Sequence, residues 1–242
     1  MKMTPRVSIV LPTYNEVANI GLLIDKCRAA VQNNPLLGEI EFIVVDDNSP
    51  DGTGALCQTL ASECPDVKVF IRMKEKGLGS AIKRGILESS GDIVVVMDAD
   101  LSHDPSLVPT LVHGVADNSA DIAVASRFAD GGEMISSTRN VWGSKALNAF
   151  VRILLQIPIK DVTGGFLAIK KEALKKLDMD RIFTGYGDYC FVLLHKGTRQ
   201  GWHAKEIGYK YRPRISGSSK TGFFRAGWSY GIRALRLKIG LE

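Results

Sequence analysis

Five short apolar runs punctuate the first half of the chain, at residues 7–11, 43–45, 67–71, 93–97 and 122–125. Each is rich in β-branched residues and bounded by turn formers, a pattern that predicts strands. Between them, apolar positions recur at helical spacing and predict helices at about 16–31, 53–63, 79–89 and 105–117. The strand runs are continuously apolar rather than alternating, so the sheet they form should be covered on both faces. The expected class is α/β, with a mostly parallel central sheet and helices on both faces, and ligands should bind at the carboxyl ends of the strands.

After residue 127 the rhythm weakens. A loop at Gly131-Gly132 precedes an apolar helix at 139–157, a strand at 166–169, a helix at 188–200, a strand at 203–211 and a last helix at 222–238. With no internal repeat and no low-complexity linker, the second half reads as an elaboration of the same domain. The length of 242 residues and the 45% hydrophobic content suffice for one sizeable core. Cys27, Cys57, Cys64 and Cys190 form no CxxC and have no His-rich neighbours, so neither a zinc site nor a disulfide framework is expected, and a reducing cytosol fits. No stretch resembles a signal peptide or reaches the roughly 18 apolar residues of a membrane span.

The net charge of +5 favours anionic partners. The excess is concentrated in segment 212–238, which carries many Arg and Lys and no Asp or Glu. Together with the apolar residues of 140–157 and 222–241, this suits either helices lying on an anionic membrane surface or helices packed on the core. Nucleic acid is not expected, because aromatics and basic residues do not interleave on a sheet face.

The candidate chemistry sits where the strands should end. The first strand runs into Pro12-Thr13-Tyr14-Asn15-Glu16 and the second into residues 46–53, with Asp46, Asp47, Asn48 and Asp51. Such groups can hold the base and ribose of a nucleotide; singly, each also reads as turn and cap chemistry. The fourth strand ends in Asp98-Ala99-Asp100. If strand alternation continues, the two carboxylates face one spot, and like charges that close call for a hard divalent cation, Mg²⁺ or Mn²⁺, completed by phosphate oxygens and water. The alternative is a capped turn with solvated acids. Ser102 could add an oxygen ligand or cap the next helix. Lys76-Gly77-Leu78-Gly79 can approach phosphate at a helix start, whereas a P-loop and a dinucleotide fingerprint are both absent.

These motifs, with Ser126-Arg127, residues 161–166 (DVTGGF), residues 97–103 (MDADLSH) and residues 214–220 (RISGSSK), resemble the family 2 glycosyltransferases of GT-A fold, and among them the polyprenol-phosphate sugar transferases. The resemblance spans nearly the whole chain. It implies an inverting hexosyltransferase moving a sugar, mannose from GDP-mannose above others, onto a polyprenyl or dolichyl phosphate. UDP-glucose or another donor, a saccharide hydroxyl acceptor, and a non-catalytic nucleotide-binding module remain alternatives. The resemblance gives residues 1–127 to the nucleotide sugar and 128–242 to the acceptor and membrane-associating helices. Pro12, Tyr14, Glu16, Val45 and Asp47 would hold the nucleoside, and Asp98, Ala99 and Asp100 the metal and diphosphate. Arg127 would face the donor sugar or its phosphate, and Arg139, Arg214 and Lys220 would gather the acceptor phosphate. It further implies a peripheral place on the cytoplasmic membrane face, with or without a small anchoring partner. One departure stands out: Asp188, in Gly185-Tyr186-Gly187-Asp188, is either a general base for a hydroxyl acceptor or the N-cap of the following helix.

Overall fold

The computed structural model describes residues 4–32, 34, 36–212 and 223–241, with no description of the side chains of 223–226. Nine strands and nine α-helices are seen among the described residues: β1 (Val7–Thr13), α1 (Ile20–Val31), β2 (Ile40–Asp46), α2 (Thr53–Glu63), β3 (Val67–Ile71), α3 (Leu78–Glu88), β4 (Ile93–Val96), α4 (Val108–Ala116), β5 (Ile122–Ser126), β6 (Glu133–Met134), α5 (Thr138–Leu155), β7 (Leu167–Lys170), α6 (Lys171–Leu174), α7 (Met179–Ile182), α8 (Tyr189–Arg199), β8 (Ala204–Gly208), β9 (Lys210–Tyr211) and α9 (Phe223–Lys238).

Seven strands form one sheet in the order β3-β2-β1-β4-β7-β5-β8. All neighbours are parallel except β7, which runs antiparallel between β4 and β5. The apolar runs are continuous because successive residues serve two cores. Val10, Val94, Val96 and Val124 face the side covered by α3, α5, α8 and α9, while Ile9, Leu11, Val95 and Ala123 face α1, α2 and α4. Helices thus cover both faces, as the sequence implied.

Three boundaries differ from expectation, each for a local reason. Helix α1 begins at Ile20 rather than 16, because the Glu16 amide donates to Thr53 Oγ1 (2.9 Å) and the Val17 amide to Asp51 Oδ2 (3.2 Å), which ties 15–19 to the β2–α2 loop. The stretch before α4 is a 3₁₀ turn, Pro105–Leu107, capped by Asp104, whose carboxylate accepts the Ser106 amide (3.0 Å); the cap is therefore Asp104 and not Ser102. The expected strand at 203–211 breaks into β8 and β9. At Gly208 a Cβ would lie 2.1 Å from the Asp130 carbonyl oxygen, and past this crowded point the chain leaves the large sheet to pair with β6.

Glu41 anchors the base of β1 and β4. Its Oε1 accepts from Ser8 Oγ and the Ser90 amide (2.5 Å each), and its Oε2 from Lys68 Nζ (2.7 Å). Burial works against the charge, yet Lys68, Ser8 and Ser90 outweigh it and draw the carboxyl down to about 2 from its ordinary 4.5. These bonds are fully present above pH 4.5 and fade as pH falls toward 2. Glu41→Gln should therefore cost about 1 kcal/mol or more at neutral pH, with the gap to the parent closing on acidification, as read from urea unfolding at pH 7, 5 and 3.

Candidate functional site

At the carboxyl ends of β1, β2 and β4 lies a cleft of about 500 Å³. The first strand delivers Pro12, Tyr14 and Glu16 to it, and β2 delivers Asp47; Asp98, Ala99 and Asp100 come from the turn after β4. Seven of the residues singled out in the sequence thus share one cavity. The far wall comes from the second half of the chain: Thr163 and Gly165 before β7, Tyr186 and Gly187 before α8, Tyr189 at its start, and Tyr230 of α9.

The two acids are not presented by strand alternation. Strand β4 ends at Val96, and the chain turns through Leu101 at φ +62°, a left-handed conformation uncommon for leucine. Within this turn Asp100 Oδ1 accepts the Ser102 amide (3.0 Å). Asp98 is steadied by His103: its amide donates to His103 Nδ1 (3.0 Å), and the other ring nitrogen lies 3.8 Å from Asp98 Oδ2. His103 is buried and stacked on Phe166 (centroids 4.9 Å apart). That burial lowers its pKa despite the pull of Asp98 and Asp100. A neutral ring that accepts at Nδ1 carries its proton on Nε2, toward Asp98.

Asp47 is held rather than loose. Arg72, 7% exposed, donates to its Oδ1 (Nε, 2.7 Å), and the Gly77 amide donates to its Oδ2 (2.7 Å). Arg72 also reaches Ser80 Oγ (2.8 Å) and the Gly77 carbonyl (2.9 Å). One guanidinium therefore pins the loop carrying Lys76, whose Nζ sits 5.5 Å above the Tyr14 ring at the cleft mouth.

Several expectations require correction. Val45 does not line the cleft; its side chain is wholly buried in the core under α3. Arg127 does not line it either. Its Nε and Nη2 grip the fully buried carboxylate of Asp161 (2.7 Å each), and Nη2 also donates to Thr163 Oγ1 (2.9 Å). Burial opposes the Arg127 charge, but Asp161 more than compensates and its pKa is raised. Arg127 touches the cleft only through Thr163. Arg139 is exposed in the first turn of α5 and is not among the lining residues. Arg214 and Lys220 lie outside the described residues.

Asp188 stands at the N-cap position of α8, but its side chain makes no capping bond; both its oxygens are engaged elsewhere, Oδ2 accepting from Arg233 Nη1 (2.6 Å) and Oδ1 from the Tyr186 amide (2.9 Å). Arg233, within the basic tail that the sequence left open between a membrane surface and the core, is 9% exposed and points inward.

A profile of the family described as Glycosyl transferase family 2 matches residues 8–178. The chain belongs to that family. Among curated relatives, the dolichol-phosphate mannosyltransferase of Pyrococcus furiosus is 37% identical across 89% of this chain, which spans 59% of that protein. The undecaprenyl-phosphate mannosyltransferase of Micrococcus luteus is 36% identical across 98% of this chain and the whole of its own length. The polyprenol monophosphomannose synthase of Mycolicibacterium smegmatis is 35% identical across 91% of this chain and 82% of its own. Among solved structures, glucosyl-3-phosphoglycerate synthase of Mycobacterium tuberculosis, in complex with Mn²⁺, UDP and its product, matches with a TM-score of 0.71 at 23% identity over 98% of this chain and 80% of that one. The same enzyme is also known with Mg²⁺ and UDP, at a TM-score of 0.69. The likeness carries the fold, GT-A.

Family 2 membership raises the question of a metal, and the donor set answers it in kind. Asp98 and Asp100 offer only hard carboxylate oxygens, and the nearby imidazole is turned to the Asp98 amide. Among the described residues no group of three His, Cys, Asp or Glu could cage an ion. Two carboxylates suit a hard cation that keeps water and takes phosphate oxygens from its ligand; they do not suit a structural zinc.

Arg72, His103, Asp161 and Arg233 had no assigned role in the sequence. A lone arginine after a strand carries no local signal. Asp161 and His103 lie inside motifs that carried the family resemblance, which was the available pointer. Because the Arg127–Asp161 pair is buried, Asp161→Asn should leave an uncompensated guanidinium and cost about 3–5 kcal/mol in urea unfolding. A loss under about 1 kcal/mol would mean that Arg127 finds solvent or another acceptor.

Proposed function

We propose that the protein is an inverting transferase that moves a hexose, mannose from GDP-mannose, onto the phosphate of a polyprenyl lipid. The observation that carries this is the convergence of Tyr14, Glu16, Asp47, Asp98 and Asp100 in one cleft at the strand ends of a family 2 fold. The names of the three relatives support the acceptor and the sugar. In this reading residues 1–127 hold the donor and 128–242 the acceptor. Asp98 and Asp100 would hold Mg²⁺ or Mn²⁺, which when bound supplies positive charge against the donor diphosphate.

The rest of the chemistry belongs to the chain and its substrates. A phosphate monoester is largely anionic near neutral pH, so its oxygen can attack the anomeric carbon without a strong general base. As that carbon–oxygen bond forms, the bond to the nucleoside diphosphate breaks on the opposite face, and the electron pair leaves with the diphosphate. The protein's work is to align the two and to offset charge. Asp188 has both oxygens engaged by Arg233 and the Tyr186 amide and does not line the cleft, which supports a phosphate over a hydroxyl acceptor.

The acceptor's lipid suggests a membrane surface, and two helices suit one. Along α9, Trp228 (76% exposed), Ile232, Leu235 and Ile239 form an apolar stripe. On α5, which packs against α9, Trp142 and Ile153 (72% exposed) do the same. Arg139, Lys145, Arg152, Arg236 and Lys238 accompany these stripes with no acidic residue on either helix, a charge that complements anionic lipid. No helix among the described residues is long and apolar enough to cross a membrane.

Two experiments test this reading. The first offers GDP-mannose, UDP-glucose and UDP-GlcNAc, each with Mn²⁺ and a short polyprenyl phosphate. Transfer from GDP-mannose is expected, and Asp100→Ala should reduce it by about a thousandfold or more with an unchanged circular dichroism spectrum. Transfer to sugar hydroxyls alone, or full activity in EDTA, would overturn the proposal. The second is flotation with vesicles containing phosphatidylglycerol. The parent should float, and Ile153→Glu with Trp228→Glu should weaken binding by about tenfold or more. Equal flotation of the two proteins would remove these stripes as the docking surface.

A further inference from the structure

Helix α9 faces two ways. At about 100° per residue, the stripe of Trp228, Ile232, Leu235 and Ile239 lies on one side, and Tyr230, Arg233, Ala234 and Leu237 lie on the other. Those on the inner side are buried or half-buried. Ala234 and Leu237 join the core, and Tyr230 and Arg233 meet the 183–188 loop, whose Tyr186 and Gly187 wall the cleft.

The contact is dense in polar bonds. Arg233 donates to the carbonyls of Arg181 and Thr184 (3.1 Å each), to Thr184 Oγ1 (2.7 Å) and to Asp188 Oδ2 (2.6 Å). Asp188 in turn accepts the Tyr186 amide. One guanidinium from α9 therefore engages the loop at both ends, while Phe183 anchors its start in the core against Tyr189. Tyr230 adds steric precision. A Cβ on Gly187 would lie 2.3 Å from the Tyr230 hydroxyl oxygen and 3.4 Å from the ring carbon that bears it. The glycine is thus required by the close approach of that hydroxyl. The loop reaches on to the donor side as well, since the Gly79 amide donates to the Gly185 carbonyl (3.3 Å).

We propose that Arg233 and Tyr230 are positioning residues through which α9 sets the acceptor-side wall of the cleft, by holding loop 183–188. Neither is assigned a part in bond making. The proposal deepens the transferase reading and rests on it for the identity of the acceptor. Its physical content is that the loop's shape is imposed by a helix distant in sequence, so displacing that contact should impair use of the acceptor more than binding of the nucleotide.

The test uses the full chain with Gly187→Ala, Tyr230→Phe and the double variant. Three readouts are compared: kcat/KM for short polyprenyl phosphate, affinity for GDP with Mn²⁺ by calorimetry, and amide hydrogen exchange across 183–188. Gly187→Ala should lower kcat/KM by about tenfold or more while nucleotide affinity stays within about twofold. Removing the clashing hydroxyl should rescue it, so that the double variant matches Tyr230→Phe alone. Exchange across 183–188 should rise in Gly187→Ala, return in the double variant, and rise in Arg233→Gln. An unimpaired Gly187→Ala, a double variant that is not rescued, or an equal loss of nucleotide affinity would overturn the proposal. If the parent transfers nothing to polyprenyl phosphate, the acceptor assignment fails. The positioning role is then judged by exchange alone, and unchanged exchange in both Gly187→Ala and Arg233→Gln refutes it.

Discussion

The middles of the central strands are apolar and buried on both faces, so acids and hydrogen-bonding groups collect toward the strand ends. Strands β1, β2 and β4 lie side by side and parallel, so their carboxyl ends open on the same edge. Tyr14, Asp47 and Asp98 reach one cleft for that reason. The antiparallel β7, inserted between β4 and β5, carries Thr163 and Gly165 on the segment leading into it to that same edge. Strand direction alone thus brings the first and second halves of the chain to face each other.

Three arginine–carboxylate pairs then give the cleft its shape. Arg72 with Asp47 secures the loop bearing Lys76. Arg127 with Asp161 secures the segment bearing Thr163, and Arg233 with Asp188 secures the loop bearing Tyr186 and Gly187. All three are mostly buried, so each carries a desolvation cost that only good geometry and further hydrogen bonds offset. In every case the guanidinium also donates to a backbone carbonyl or a hydroxyl of the segment it holds. The fork of arginine suits this use, because one planar group can bond a carboxylate and a neighbouring chain segment together. At Asp98 and Asp100 the bonds are local: the Asp98 amide donates to a neutral histidine, and the Ser102 amide donates to Asp100.

The residues that build the far wall of the cleft lie far apart in the chain. Arg233 and Asp188 are 45 residues apart, and Arg127 and Asp161 are 34. Helix α9 turns its apolar stripe outward and its polar anchors inward, so the surface that suits lipid and the wall of the cleft belong to one rigid element.

The sequence by itself determined the class of fold and the edge of the sheet on which the cleft opens. Continuous β-branched runs can only be buried on both sides, and the polar clusters that follow them must then fall at strand ends; Pro12, Tyr14, Glu16, Asp47, Asp98 and Asp100 were legible on that logic, and the motifs around them carried the family. Boundaries that depend on long-range bonds were not legible. The start of α1 waits on Thr53 and Asp51, and the break between β8 and β9 on the approach of the 130–132 loop to Gly208. The same holds for the roles of charged side chains. A lone Arg72, an Arg233 in a basic tail and an Asp188 before a helix each fit several local patterns, and only the tertiary structure, by bringing a partner from tens of residues away, selected one. Periodicity is a local property that a strand or helix imprints on its own residues, whereas the pairing of buried charges depends on which distant segments the fold brings within about 3 Å of each other.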